Sequence, residues 1–596
     1  MSNNNIVEKA IKSLGKGFDL TCDFRLKYCK GDKRLVLLNE NLKKELMVPG
    51  FGAYENVPID IKCDKGDRVR FQSDILDFNQ MSEYINRRSS VPGKIPSGMF
   101  NSMFGFESGS WANDAANTKY LGLDGYFIIL FDVHIDRYSL VLDNQVINDV
   151  PSTWDPPALA RFIEKYGTHI IVGLSIGGQD VVLVRQDKLS NMEPSQLKNQ
   201  LDELGDQLFT GICNYCPQQF KSREQKHKTI EAFNIFDPQP NILSSFPSAT
   251  TKNGVTVICS KRGGDLTSNT HSEWLLTVPS MPDAISFSFI PITSLLKGVP
   301  GKGFLSHAIN LYLRYKPPIA DLQYFLDFQV HKIWAPIHND LPLGPTTNRS
   351  IRPPALQFNL MGPKLYVNPT QVIVGKTPVT GIRLYLEGVK CDRLAIHLQH
   401  LMNTPVLLQD KIDDPLAWRG SEDHRYFEAI QWKKFSHVCT APVKYDPNWT
   451  PYDSGFTFIV TGAQLHVKKH DTKSVLHLRL LYSKVSNSCI VHSQWMQCAS
   501  ESCTKSSSGF LSAISGQSSV PGFLSEKPVV VDSGVYPTGP PVPVHTQKLL
   551  KFVDTTQLCR GPLDSPGHWL VTGAKLDLER GKICLRVKFS LLHLSS

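Results

Sequence analysis

Three stretches of this chain spell almost the same pattern: Val379-Thr-Gly-Ile-Arg-Leu-Tyr-Leu, Val460-Thr-Gly-Ala-Gln-Leu-His-Val and Val571-Thr-Gly-Ala-Lys-Leu-Asp-Leu. Each precedes a second alternating stretch: Leu394-Ala-Ile-His-Leu, Leu476-His-Leu-Arg-Leu and Leu585-Arg-Val-Lys-Phe. Apolar and polar residues alternating at period two mark a half-buried antiparallel strand. Each unit therefore reads as a β-hairpin with a glycine at a bend or bulge near its start. In the last unit, Leu576 and Leu578 share one face, while Lys575, Asp577 and Glu579 share the other. One hairpin cannot bury its apolar face alone, so the three should pack around a pseudo-threefold axis. A β-prism satisfies this, with a β-trefoil as the alternative. Such shapes often bind sugars or lipid head groups, but a fold by itself assigns no ligand.

The repeats occupy only part of a 596-residue chain, which is too long for one hydrophobic core. Up to about Pro318, long strand-like runs mix with polar helical segments. From Asp321 to about Pro354, Pro, Asn and His accumulate, as in an extended connector. The expected organisation is a first domain over 1–335, a linker over 336–355 and an all-β domain over 356–596. Ser500–Ser519 and Pro537–Pro543 read as long loops within the last.

In the first domain, strands are expected at Gly66–Leu76, Leu121–Leu142, Thr168–Arg185, Gly254–Cys259 and Glu273–Val278. A helix is expected over Pro156–Tyr166, because Leu159, Phe162 and Ile163 share a face, Asp155 suits the N-cap and Pro156 the first turn. Another should run from Phe304 to Tyr315 and stop at Pro317-Pro318. Asn79–Thr118 and Pro194–Phe236 read as helical inserts. The second opens with an apolar stripe of Leu197, Leu201, Leu204 and Leu208.

Several chemistries are excluded on composition. A net charge of +9 is mild at this length, and no stretch packs Lys and Arg among aromatics as a nucleic-acid groove does. The N-terminus lacks the apolar core of a secretory signal, and no apolar run approaches the roughly 18–20 residues of a spanning helix. Cysteine numbers 13, an odd count without framework spacing, which suits reduced thiols. Cys213-Asn-Tyr-Cys216 has no second ligand pair nearby, so neither a metal nor a cofactor is expected.

Gly173-Leu-Ser175-Ile-Gly177 matches the G-x-S-x-G nucleophile elbow, which works only on a sharp strand-to-helix turn. Here Gly178-Gln-Asp-Val-Val-Leu-Val continues as strand, so no catalytic residue is assigned and the chain reads as non-enzymatic. Gly173, Gly177 and Gly178 instead read as a hinge where a long strand bends. His169 reads as a strand histidine bonded to local backbone. The basic cluster Lys221, Arg223, Lys226 and Lys228 is a candidate contact for anionic lipid head groups, where each cation contributes about 1 kcal/mol. The plainer reading, a solvated face, is favoured by the interspersed Glu224.

Tyr166-Gly167-Thr168-His169, following a short helix and entering a strand with Gly177-Gly178, resembles the signature of the membrane-attack-complex/perforin (MACPF) family. Ile170 stands where that signature carries an aromatic residue. The blocks Leu14–Leu20, Phe24–Gly31, Asp124–Ile128 and Tyr312–Pro318 resemble plant members most closely. The resemblance covers about the first 335 residues, and plant-like features continue to the end of the chain. It implies an α+β fold: a bent, antiparallel four-stranded sheet with two helical clusters, here followed by the all-β domain.

The family's mechanism, by implication, unfurls those clusters into amphipathic hairpins that close into a β-barrel pore, where every backbone amide is satisfied in lipid. Each insert must then supply two crossing strands of about 9–11 residues, and both are long enough. The required alternation is poor over Phe100–Ala112, where Phe100, Phe104 and Phe106 share their parity with Ser102, Ser108 and Ser110. The implied function is a membrane-associated regulator of programmed cell death and innate immunity that restrains salicylic-acid-linked death. The implied partners are membrane lipids and further copies of the chain, at the cytoplasmic side of the plasma membrane. The alternative is an intracellular lipid- or carbohydrate-binding scaffold that keeps the fold without forming pores.

Overall fold

The computed structural model describes residues 4–39, 41–106, 111–136, 139–210, 248–250, 254–268, 270–330, 332–336, 354–357, 364–388, 390–415, 417–430, 436–444, 455–497, 549–559 and 568–594. Two compact units emerge, one of Met1–Leu326 and one beginning at Asp327.

In the first unit, β1 (Gly17–Phe18), β2 (Ile61–Lys65), β3 (Arg68–Gln72), β4 (Thr118–Ile135), β5 (His169–Asp187), β6 (Val255–Arg262) and β7 (Asp283–Pro291) join one sheet. Its frame is four antiparallel columns: β2 with β3, then β4, β5, and β6 with β7. Both outer columns are broken in two. β2 pairs with Phe131–Ile135 and β3 with Asp124–Ile128, while β7 pairs with His169–Gly177 and β6 with Gln179–Gln186. Alternating side chains of β5 enter different cores, Val181 and Leu183 one, Val182 and Val184 another. An unbroken apolar run of this kind needs cover on both faces.

The helices supply that cover. α1 (Phe78–Arg88), α2 (Gly98–Phe104) and α3 (Trp111–Asn117) form the first insert, and α4 (Pro156–Tyr166) precedes β5. α5 (Pro194–Thr210) opens the second insert, followed by α6 (His271–Thr277), α7 (Lys302–Tyr315) and α8 (Leu322–Asp327). Asp77 and Gln80 close a capping box at the start of α1, and Asp155 caps α4 by accepting from the Ala158 amide at 3.2 Å. Phe78, Phe100 and Phe104 enter the core shared with Val181. Leu197, Leu201 and Leu204 lie on Val182 and Val184, with Leu208 half-buried beside them. The two inserts therefore cover opposite faces of the sheet.

Three expectations are corrected. Glu273–Val278 is not a strand: residues up to Thr277 belong to α6, whose Thr270 cap accepts from the Glu273 amide at 3.2 Å. The strand that pairs here is β7, where the half-buried Ser286 and Ser288 alternate with the buried Phe287 and Phe289. Within the expected extended connector, Leu322, Phe325 and Leu326 anchor α8 in the core, and Lys332–Ala335 forms a strand. The run to Leu142 also stops early, since β4 ends at Ile135.

The second unit repeats one plan. Its first part comprises β8 (Lys332–Ala335), β9 (Ala355–Gln357), β10 (Lys364–Val367), β11 (Val372–Ile373), β12 (Val379–Glu387) and β13 (Arg393–Leu401). The second comprises β14 (Ala417–Gly420), β15 (Phe427–Ala429), β16 (Ser436–Cys439), β17 (Val443–Lys444), β18 (Phe456–His470) and β19 (Lys473–Ser486). β20 (Ser488–Gln497), β21 (Leu558–Cys559), β22 (His568–Glu579) and β23 (Lys582–Leu594) are the described strands of the third. The Val-Thr-Gly hairpins are β12–β13, β18–β19 and β22–β23, flanked by β8, β14 and β20 respectively. Leu384, Leu465 and Leu576 from the three hairpins meet in one core.

The short strands interlock the parts. β11 precedes the first hairpin but pairs with the second; β17 precedes the second but pairs with the third; β21 precedes the third but pairs with the first. Each lands on a repeat glycine at a register shift. A Cβ on Gly462 or Gly573 would lie 2.9 Å from the carbonyl oxygen of Val372 or Val443, and one on Gly381 would lie 2.6 Å from Cys559 Sγ. The repeat threonines are buried too. Thr461 meets the Ser483 hydroxyl at 2.9 Å, Thr572 meets Ser590 at 2.5 Å, and Thr380 donates to Gln399 at 3.2 Å. Ser500–Ser519 and Pro537–Pro543 lie outside the described residues.

Candidate functional site

A line of close backbone contacts crosses the first unit's sheet. β5 changes partner between Gly177 and Gln179, β4 shifts register between Ile129 and Phe131, and β2 gives way to β3 around Gly66. A Cβ on Gly177 would lie 1.8 Å from the Ile128 carbonyl oxygen. One on Gly263, whose φ is 70°, would lie 2.3 Å from the Gly177 oxygen. Gly178 faces Trp274 and Val278 of the α6 segment, and the buried Trp274 indole donates to the Gly263 carbonyl at 2.7 Å. Bulges bend a strand and sharpen its twist, so their alignment in neighbouring columns makes a crease. Gly173 sits off this line, beside the register shift between Ser288 and Phe289.

Tyr166, Gly167, Thr168 and His169 stand at the entrance to β5. The Tyr166 hydroxyl donates to Asp149 at 2.6 Å, and the Gly167 amide closes α4 on Ile163 at 2.8 Å. The Thr168 amide donates to Phe18 at 2.9 Å, while its hydroxyl accepts from the Leu20 amide at 3.2 Å. Tyr312 donates to Asp19 at 2.7 Å, and Arg262 holds the Asp23 carboxylate at 3.0 Å. Phe18, Phe24, Phe287 and Phe289 pack as one ring cluster. Sequence blocks far apart in the chain thus meet around the four-residue turn. Ile170, in the aromatic's place, is fully buried.

His169 Nδ1 lies 3.1 Å from the Thr168 hydroxyl, so its partner is a side chain rather than the expected backbone group. Burial pushes its pKa down from 6.5 to about 4. Between those values the unfolded chain binds the proton and the folded chain does not, so stability is present above the unfolded pKa and declines as pH falls towards 4. The cost is at most about 3 kcal/mol. Thermal midpoints measured from pH 7 to 4 should therefore fall less steeply for His169→Gln than for the unsubstituted chain; parallel curves would contradict this.

A second feature, missed in the sequence, fastens α5. Arg70 on β3 forms a bidentate pair with the fully buried Asp124 at 3.0 and 2.7 Å, and reaches Asp206 on α5 at 2.7 Å. Gln72 adds a bond to Asp124 at 3.1 Å. Gly205 admits this approach, since a Cβ there would lie 2.0 Å from the Asp124 carboxylate. Beside the clasp, Tyr126, Phe209, His271 and Trp274 form a chain of ring contacts from α5 to the crease. His271 bonds Asp180, also fully buried, at 2.8 Å. The signal available in the sequence was two aspartates inside apolar strands, because a buried carboxylate requires a partner. Arg70→Ala strands Asp124 without its cation and should cost about 3–5 kcal/mol. Thermal unfolding should show that loss, and limited proteolysis should cut near α5 first; an unchanged melt and digest would refute the clasp.

Ser175 lies mid-strand, paired with Asp132 on one side and Ser286 on the other, without the turn that an exposed nucleophile needs. Lys221, Arg223, Lys226, Lys228, Cys213 and Cys216 lie outside the described residues. Among the described residues, no helix is long and apolar enough to cross a membrane.

Residues 4–322 match the sequence profile of the MAC/Perforin domain. The MACPF domain-containing protein At1g14780 of Arabidopsis thaliana is 57% identical over 99% of this chain and 98% of its own length. NSL1 and CAD1, MACPF domain-containing proteins of the same plant, are 44% and 43% identical, over 100% and 98% of this chain and 97% and 96% of theirs. A profile match over more than half the chain and full-length relatives above 40% identity place it without ambiguity: it belongs to the MACPF family.

Proposed function

We propose that the chain is a non-enzymatic, membrane-associated regulator of plant immune cell death, restraining the salicylic-acid-linked programme by oligomerising on lipid and opening a β-barrel pore. The observation that carries this reading is where the inserts leave the sheet. The first joins β3 to β4 and the second joins β5 to β6, and Thr118 pairs with Asp187 while Val255 pairs with Gln186. Both therefore hang from the same end of neighbouring antiparallel strands. If unwound, each would prolong a strand pair already hydrogen-bonded, and residues 73–117 and 188–254 exceed the two strands of about 9–11 residues that a crossing needs. In this reading the crease at Gly177 and Gly178 is the hinge, and the Arg70 clasp must open before α5 unwinds. Tyr166 to His169 keep a structural role.

A second reading, a lipid- or carbohydrate-binding scaffold without pores, is favoured by the three-sheet second unit, which we take as a β-prism. Dye release from phosphatidylserine vesicles, with electron microscopy of the same membranes, separates the two. Release with ring-shaped assemblies supports the pore; vesicle binding without either supports the scaffold.

A further inference from the structure

The three sheets of the second unit place a tryptophan at one equivalent position. Trp334, Trp418 and Trp495 pair with Gln399, Leu481 and Lys588, the same residues that pair with the repeat glycines Gly381, Gly462 and Gly573. In the first two sheets a guanidinium lies over that ring, Arg383 at 4.2 Å from Trp334 and Arg479 at 5.7 Å from Trp418. At Trp334 the site is closed, because the indole is only 7% exposed. At Trp418 it opens into a cleft of about 500 Å³, lined by Trp418, Arg419, Glu422, Val443, Lys444 and Arg479.

Cations dominate this cleft. Lys444 on β17 pairs with Gly573 on β22, and Gly573 pairs in turn with Lys588 on β23. Cross-strand partners point to one face, so Lys444 and Lys588 flank Gly573 on one face, with Lys444 in the cleft lining and Lys588 beside it. Burial, and then the charge of Lys444, hold the Lys588 pKa down. Among the described residues no carboxylate pairs with either lysine. Among the described residues that line the cleft, the one carboxylate, Glu422, is drawn to Lys468. Neighbouring like charges are unfavourable alone, and an anion bound at Lys444 relieves its repulsion with the half-buried Lys588. Arginine and lysine around one point suit the several acceptor oxygens of a phosphate, and a flat indole suits the face of a ring. The volume falls within the roughly 300–1,000 Å³ typical of small-ligand sites.

We propose that this cleft binds a phosphorylated ring compound, a sugar or inositol phosphate, with the phosphate held by Arg479 and Lys444 and the ring laid on Trp418. The inference rests on the membrane- or sugar-binding part of the reading above, and not on pore formation.

The test is calorimetric titration of the full chain with inositol hexakisphosphate, beside flotation with phosphatidylcholine vesicles that do or do not carry phosphatidylinositol 4-phosphate. Saturable binding should weaken about tenfold or more in Lys444→Glu and in Trp418→Ala, a loss of about 1.4 kcal/mol or more. It should persist in Lys390→Glu, which makes the same change of charge at an exposed turn away from the cleft. All three variants are compared at unchanged thermal midpoints, and Lys444 is exposed enough for reversal to spare the fold. Loss of both soluble and vesicle binding in the cleft variants supports the site with a lipid head group as its source. Loss of soluble binding, with no vesicle preference in the unsubstituted chain, supports it with a free phosphate as its source. No binding to either probe, or equal weakening by Lys390→Glu, overturns the cleft. Dye release by the unsubstituted chain does not depend on either result, so the cleft and the pore fail separately.

Discussion

A chain cut after Cys559 should lose the fold of its entire second unit, although it keeps two complete hairpins. The cut removes β22 and β23, and with them Trp569, Val571, Ala574, Leu576, Ile583, Leu585, Val587 and Phe589 from the shared core. Burying each of the larger side chains contributes about 1.5–3 kcal/mol, so the loss is as large as the whole stability of a domain, roughly 5–15 kcal/mol. The interlock compounds it. Among the described residues β17 pairs only with β22 and β20 only with β23, so each becomes an unpaired edge, and such edges aggregate. Differential scanning calorimetry should show no cooperative transition for the second unit of the truncated chain. Conversely, residues 327–596 alone should melt cooperatively with a β-rich circular dichroism spectrum. A fragment starting near Arg352 should be weaker, because it lacks β8 and its four-residue register with β13. A truncated chain that melts like the intact one would show the interlock to be dispensable.

The repeat was legible because it is written locally, in a Val-Thr-Gly word followed by alternation that any half-buried hairpin must carry. The interlock was not, because β11, β17 and β21 are two residues each, too short to display a period. The equivalent tryptophans were hidden by unequal loops between the parts, and only register aligns them. In the first unit, α4 was readable from its cap and stripe, whereas α6 resembles a strand because Trp274-Leu-Leu-Thr-Val mixes strand formers in a run too short to show helical period. Thr270-x-x-Glu273 is the better signal there, and the alternation of Ser and Phe in β7 is the strand signal that belongs to this region. Of the candidate site, the signature turn and the glycines were visible as words. The Arg70 clasp joins residues 54 and 136 positions apart, and no local pattern announces such a pair.

Valine at Gly177 should be the most damaging of the three glycine substitutions in β5. Its Cβ would fall 1.8 Å from the Ile128 carbonyl oxygen and 3.2 Å from Ile129 Cα, so the obstacle is the backbone of the neighbouring strand. Backbone at a crease cannot rotate out of the way as a side chain can. Relief requires β4 and β5 to part and the hydrogen bonds across the line to break, which adds to an overpacking cost of about 1–3 kcal/mol. At Gly178 the obstacles are Val278 and Trp274 side-chain atoms at 2.8–3.0 Å, which can yield partly, though Trp274 is anchored by its bond to Gly263. At Gly173 the nearest atom is Ser288 Cβ at 3.2 Å, so a shift of a few tenths of an ångström suffices. Thermal midpoints should therefore fall in the order Gly177→Val, Gly178→Val, Gly173→Val, each kcal/mol appearing as about 1–2 °C for the unit Met1–Leu326. Vesicle binding and dye release measured on whatever folds should follow the same order if the crease is the hinge. Equal midpoints for the Gly177 and Gly173 variants would show that the sheet tolerates a side chain at the crease, and the hinge would have to be sought elsewhere along β5.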